Sequence, residues 1–538
     1  MKPVYIIVVY LCFYSLNTTQ GQNWIRIIGG YDKLHCKSIY EHYDKGYILT
    51  GQHWTGAGEN SFGWVMKTDI NGYAKWSKSY GKSGKISTFT NSCETTDGGL
   101  ICFGSSNKIN QNCTDPLLVK LNACGEKEWC KIYNSTNCNA SGIDISQVPG
   151  GGYMMLIEDW IVGPDVWLFR LDSAGGIIWA QNYLTNPDVF WSPLGRSLKN
   201  TTDSCFLITG HAYSPDSLTP GYLLLKMFIA KVDLNGGVIF EYPWGTSNGM
   251  VSQGLKTIEN SKHVLFTVGN RMNYSPPSDY LPTMFKSGIN GQALSCMNLG
   301  PNSELGISTT INWFLDSTLV IGTDWQYPGG DDSAVIVKTD TLGNILSTKC
   351  VLPHENLFFN GADVTYNDRI IIVGNSIFSL VKTYVFKLTS NLEYDSVYTR
   401  PFTYDSLCPH PIVSDTIPLD DCQVVIVGLD DPVQNPEKTQ LHLYPNPAKG
   451  QVTVEMPQYL IRKSAGQGIQ ATTIYHQWDQ TRLEVLDITG KLMFSVDVPK
   501  KQVSLQLNTS SWLAGIYLAR LVFMNEVVAN AKLVISKK

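Results

Sequence analysis

The chain is poor in charge and poorer still in arginine. Charged residues make up 16% of its 538 residues, with nine Arg against 32 Lys, a formal net charge of −5 and no dense basic block. Nucleic acid is therefore not an expected partner, since phosphate backbones ask for a basic stripe. His-Glu-x-x-His and Gly-x-Ser-x-Gly are both absent, which removes two common hydrolase signatures. No two cysteines stand in Cys-x-x-Cys spacing, so a closed zinc site is not expected. Gly81-Lys82-Ser83 ends like a phosphate loop, but Trp76 stands where the first Gly belongs. Past the N-terminus no apolar run is long enough to span a bilayer. The sequence assigns no catalytic residue, no metal ligand and no cofactor.

What is there begins with an export signal. Residues 1–21 carry Lys2, an apolar run over 4–16 and a polar stretch ending at Gly21, after which cleavage is expected. Bulky Tyr10 and Leu11 before Cys12 argue against a lipidated cysteine. Removing the signal leaves twelve cysteines, an even number that in an exported chain favours disulfides. Cys93, Cys102, Cys113, Cys124, Cys130 and Cys138 cluster together, while Cys408 and Cys422 are expected to pair locally and close a loop.

The phrase at 65–81, VMKTDINGYAKWSKSYG, organises most of the chain because it returns. Its anchor Lys67 recurs as Lys120, Arg170, Lys231, Lys286, Lys338 and Lys387, at spacings of 53, 50, 61, 55, 52 and 49 residues. Gly stands five residues after the anchor in six copies; nine residues after it come Trp, Trp, Trp, Phe and then three Ser. Turns such as Asn71-Gly72 and Asn235-Gly236 favour hairpins, because they need positive φ. A short apolar strand precedes each phrase, as at 99–104 and 370–374, and a weaker one precedes that. Four strands per copy and seven copies predict an all-β, seven-bladed β-propeller over 22–429. Residues 23–30, NWIRIIGG, resemble the end of a copy and are expected to close the ring by completing the last blade. Residues 422–428 resemble a second strand, which keeps eight blades as the alternative.

The anchor Lys or Arg is expected to be a solvated strand end, paired locally with residues such as Asp69, Asp172, Asp233 and Asp340. The Asp-x-x-Gly-x-x-x-Trp phrase is similar to the Asp-box of sialidase propellers, though its spacing differs. Turn stabilisation is expected of it, rather than calcium binding, because the further ligands and distal Glu of a calcium loop are missing. Strand order places the connections between second and third strands on one face, together with the crossings between blades. These are long and aromatic, and loops carry function more often than scaffold strands do. Trp54, Trp160, Tyr213, Tyr274, Trp325 and Tyr327 are the candidate ligand-binding residues.

Residues 430–440, polar with two prolines, read as a linker. From 441 the pattern changes to alternating strands, which predict a small Ig-like antiparallel β-sandwich of about seven strands over 441–538. Here stand Tyr444-Pro445-Asn446-Pro447, then Asp487-x-x-Gly490-Lys491, then Leu513-Ala514-Gly515-Ile516-Tyr517, and a last strand ending in a basic tip. These residues resemble the C-terminal sorting domain of the bacterial type IX secretion system, with a longer insertion at 458–481. The resemblance implies a Gram-negative bacterium of the Bacteroidetes type and passage through the periplasm. It implies handling by the type IX machinery, then removal of the domain with release or attachment to surface lipopolysaccharide. The expected protein is extracellular or on the outer cell surface. Its expected function is non-enzymatic binding or adhesion to a glycan, peptide or surface protein. The alternative is a secreted polysaccharide- or peptide-degrading enzyme with its site on the loop face.

Overall fold

The computed structural model describes residues 24–29, 33–55, 60–82, 84–107, 114–135, 140–159, 165–186, 189–215, 223–244, 250–273, 280–300, 305–314, 317–326, 332–351, 357–376, 382–400, 402–427, 441–455, 481–488, 491–498, 504–523 and 526–536. The signal segment, the linker and nearly all of the insertion at 458–481 lie outside them.

Seven antiparallel sheets form the ring, each built in chain order from the axis outward. The first strands are Lys33–Glu41, Ser87–Glu94, Ala140–Gln147, Trp191–Asn200, Met250–Glu259, Leu305–Phe314 and Leu357–Val364. Each touches the first strands of the blades on either side, so these seven strands surround the axis. Middle strands are buried on both faces, as blades stacked against neighbours require; all seven residues of Ile370–Ser376 are buried. The repeated Asp holds its turn: Asp69 Oδ1 accepts from the amides of Asn71 (2.9 Å) and Tyr73 (2.8 Å), and Asp233 and Asp340 do the same in theirs. Gly72 takes φ 75° there, and a Cβ on it would come within 2.6 Å of the Trp24 ring. The repeat's aromatic thus covers the turn glycine of the next blade: Trp76 lies on Gly125 and Trp129 on Gly175 in the same way. This contact is the physical reason the two residues travel together in the repeat.

The ring closes at its N-terminus. Ile25–Ile28 is the fourth strand of the seventh blade, with Ile25 opposite Phe386. The eighth-blade alternative gives way to a strap. After the seventh blade the chain runs back along the outside, where Thr416–Pro418 pairs in parallel with Ala74–Gly81 of the first blade. Gln423–Val427 then pairs in parallel with Lys127–Ser135 of the second. The strand that kept eight blades as the alternative instead covers an open edge. The expected Cys408–Cys422 pair is corrected accordingly: Cys408 bonds to Cys124 and Cys422 to Cys130, pinning the strap to the second blade. Cys36, Cys93, Cys102, Cys205, Cys296 and Cys350 are free thiols, and Cys113 and Cys138 lie outside the described residues.

The anchor lysines are not solvated. Lys67 is fully buried with Asp44 at 2.5 Å and Asp405 at 2.7 Å. Lys120 pairs with Asp97 and Glu128, and Lys231 with Asp203 and Glu259. One partner of each, Asp44, Asp97 and Asp203, comes from the turn between the first two strands of the same blade.

The C-terminal residues form two sheets, one of three strands and one of four, around a single core that includes Val452, Leu483, Tyr517 and Leu533. The motif residues hold this sandwich together. Asn446 Nδ2 donates to the Lys532 carbonyl (2.7 Å) and Asn446 Oδ1 accepts from the Val534 amide (2.8 Å), so the segment Pro445–Pro447 is tied to the last strand. Asp487 Oδ1 accepts from the Lys491 amide at 3.0 Å, and Tyr517 Oη donates to the Leu513 carbonyl at 2.9 Å. Gly515 opens the strand Gly515–Phe523, and Gly490 lies outside the described residues.

Candidate binding site at the mouth of the channel

Each of the seven first strands carries one extra residue at the same point of its ladder. The extra residues are Lys37, Thr90, Ile143, Arg196, Leu255, Thr309 and Asn360. A bulge leaves its extra residue unpaired and re-aims the side chain. Here it leaves adjacent residues partly open on a strand whose one free side is the axis, as with Thr90 and Asn91 or Ile143 and Asp144. A ring of side chains therefore lines the channel, drawn from blades that share no local motif.

At the mouth on the loop face lies a cavity of about 600 Å³, lined by His35, Trp54, Arg196, Leu255, Thr309 and Asn360 together with Phe358, Phe359, Asn375 and Ser376. Such a volume suits a small ligand or the end of a longer one. Trp54 is the penultimate residue of the strand Tyr47–Thr55, and its indole stacks on His35 with centroids 5.9 Å apart and planes 21° from parallel. Burial, then the charge of Lys37, lowers the His35 pKa to about 4, so the ring is neutral at pH 7. Asn375 fixes one wall: its Nδ2 donates to the Cys36 carbonyl and to Asn360 Oδ1, both at 2.6 Å. No carboxylate lines the cavity among the described residues.

Deeper in the channel stand Asp144, Lys199, Lys256 and Asp363, from the third, fourth, fifth and seventh blades. Asp144 accepts from Asn91 Nδ2 (2.5 Å) and from the amides of Leu198 (2.7 Å) and Ile145 (2.8 Å). Asp363 accepts from Asn312 Nδ2 (3.2 Å) and from the amides of Glu41 (3.0 Å) and Val364 (2.9 Å). Each carboxylate thus ties three consecutive blades together. Burial raises both carboxyl pKa values, and these hydrogen bonds pull against it. Burial, then the charge of Lys199, lowers that of Lys256.

The other sequence-predicted aromatics fall elsewhere. Trp325 is 9% exposed and packs into the core between the fifth and sixth blades. Tyr213 is 41% exposed on the fourth blade, its ring 5.9 Å from that of Trp191. Trp160, Tyr274 and Tyr327 lie outside the described residues. The channel ring itself was missed, although its members recur at nearly the repeat's own spacing, which was the signal that could have found it. Away from the channel, Asp203, Glu259 and His263 stand within metal-ligand reach of one another. The Lys231 ammonium already lies 2.9 Å from Asp203 and 3.1 Å from Glu259, supplying the charge a cation would bring.

Residues 442–536 match the family described as the secretion system C-terminal sorting domain. The C-terminal sandwich is that domain of the type IX secretion system. The chain is therefore a type IX cargo with a β-propeller fold, carried to the cell surface or the extracellular space. Among the described residues no helix is long and apolar enough to cross a membrane. No curated protein matches the chain. Among solved structures it is similar to the extracellular domain of a one-component system from B. thetaiotaomicron, at 10% identity and a TM-score of 0.42, over 95% of this chain and 59% of that one. It is also similar to PorZ, a surface component of the type IX secretion system of Porphyromonas gingivalis, at 10% identity and a TM-score of 0.36, over 92% and 69%. A third likeness is to polysaccharide lyase Uly1, at 8% identity and a TM-score of 0.41, over 67% and 90%. The chain thus spans less than two thirds of the first of these structures. The strand order by itself is that of a seven-bladed propeller.

Proposed function

We propose that the propeller is a non-enzymatic binding module, displayed or released outside the cell, whose ligand seats in the channel mouth. The observation that carries this reading is the make-up of the cavity: an aromatic plane at Trp54, neutral polar groups at Thr309, Asn360 and Ser376, and no carboxylate among the described residues. That is the chemistry of recognition, a flat apolar surface with a few polar groups to fix orientation. A degrading enzyme of the two-carboxylate kind needs an acid and a base free to move protons. Asp144 and Asp363 each accept three hydrogen bonds, two of them from neighbouring blades, which supports binding over turnover. On the sorting domain's account, the propeller is left free or attached to surface lipopolysaccharide once that domain is removed.

The test is a glycan and peptide array on the full chain, with each hit incubated and examined by mass spectrometry. Binding without product is expected, and Trp54→Ala is expected to weaken it about tenfold or more. A cleaved product, or binding indifferent to Trp54→Ala, would overturn the reading.

A further inference from the structure

We propose that the channel mouth takes an anionic saccharide, with its acidic group on the Arg196 guanidinium and its ring beside Trp54. The inference rests on the mouth being the ligand site, and narrows the ligand's chemistry.

Arg196 is the extra residue of the fourth blade's bulge, exposed within the cavity lining. Its situation is unlike that of the anchor lysines. Lys67, Lys120 and Lys231 each hold two carboxylates, whereas Arg196 makes no hydrogen bond or ion pair among the described residues. A guanidinium with its fork unoccupied matches the paired oxygens of a carboxylate or sulfate. With His35 neutral, Arg196 is also the cavity's one charged side chain among the described residues.

The channel behind it adds to the same sign. Lys37, Lys199 and Lys256 stand on the first strands against Asp144 and Asp363, and amide donors already serve both carboxylates. A cleft lined by an excess of one charge, with low-dielectric walls, concentrates its field on an approaching ion of the other sign. The neutral lining then separates saccharide from peptide. Thr309, Asn360 and Ser376 offer side-chain hydroxyls and an amide, the complement of sugar hydroxyls, and Trp54 offers the face on which a sugar ring packs. An extended peptide is read chiefly by a free strand edge.

The experiment is titration calorimetry on the full chain with trimers of galacturonate and glucuronate, sulfated galactose oligomers, and the carboxyl-reduced or desulfated counterpart of each. At least one anionic form is expected to bind tenfold or more tightly than its neutral counterpart, and to weaken as sodium chloride is added. Which arm responds distinguishes carboxylate from sulfate. Arg196→Gln is expected to remove the preference and leave residual neutral-sugar affinity in place, while Arg196→Lys retains part of it. As an exposed residue, Arg196 can be changed without loss of fold, which an unchanged melting temperature verifies. Equal binding of charged and neutral forms, or a preference that survives Arg196→Gln, overturns the proposal. If neutral sugars or peptides then bind in a Trp54-dependent way, the mouth stands as the site and only its charge preference or saccharide class falls. If no saccharide or peptide binds, both readings fall.

Discussion

The outermost strands of the first and sixth blades come from the same repeat and meet opposite environments. In the first blade, Ala74–Gly81 is covered by the strap, and five of its eight residues are buried. In the sixth, Ile345–Cys350 faces outward with Ile345 45% and Leu346 53% exposed. The fifth resembles the sixth, with Leu294 54% exposed on Ala293–Asn298. The repeat follows this division only in part: Trp76 and Trp129 sit where the strap crosses and Ser295 and Ser347 where no strand pairs with the outer edge, while Trp179 and Phe240 keep the aromatic on the third and fourth blades without a strap. There the next blade is the cover: Trp179 donates to the Leu234 carbonyl at 3.3 Å, and Phe240 lies on Gly291.

The anchor position sharpens the contrast most. Lys67 lies between two carboxylates, one of them on the strap, while Lys286 donates to the Thr341 carbonyl at 3.1 Å. Lys67→Met leaves buried Asp44 and half-buried Asp405 beside an apolar chain, and is expected to cost about 3–5 kcal/mol. Lys286→Met is expected to cost about 1 kcal/mol, the loss of one ordinary hydrogen bond. Urea midpoints of the two variants check this, and equal losses would erase the distinction between strapped and unstrapped blades.

The channel is where the two sides should behave alike. His35 on the first blade and His211 on the fourth both have pKa values lowered to about 4, by burial first and then by Lys37 and Arg196 respectively. An unfolded histidine titrates near 6.5, so between about pH 6.5 and 4 the unfolded chain binds more protons than the folded one. Stability from this source is therefore intact above pH 6.5 and falls as the pH drops toward 4, by about 3 kcal/mol for each histidine. Denaturant unfolding at pH 7 and pH 4.5 should show the fall, and His35→Asn and His211→Asn should each reduce it. A flat profile in the native chain would contradict the burial assigned to both rings.

The strap's bridge gives a smaller effect than Lys67→Met. Cys130→Ser with Cys422→Ser is expected to cost about 2 kcal/mol, at the low end for a native bridge, because Cys124–Cys408 still holds the segment. Thermal unfolding in the presence and absence of a reductant checks it. A larger loss from Cys350→Ser, a free and exposed thiol, would be inconsistent with this ordering.

What the sequence disclosed follows the range of the forces involved. Turn chemistry at Asn71-Gly72 and the apolar strands are local, so blade number, the closing strand at Ile25–Ile28 and the sandwich were readable from order and spacing. The partners of Cys408 and of Lys67 were not, because Cys124 is 284 residues away and Asp405 is 338 away, and only the folded strap brings them together. Trp325 looked like a loop aromatic from its place in the connection between second and third strands, yet its ring turns into the blade interface. Arg196 carried no motif at all. Its place at the mouth comes from the inserted residue that it shares with the other six ladders, a feature that exists only once strands are paired.

The most direct measurement is a crystal structure of the full chain grown with the oligosaccharide that binds best on the array. The account predicts the ligand in the channel mouth, one sugar ring against Trp54 and an acidic group within hydrogen-bond distance of Arg196. A ligand seated on the Trp191–Tyr213 pair or along the outer strands, with the mouth left open, would contradict it.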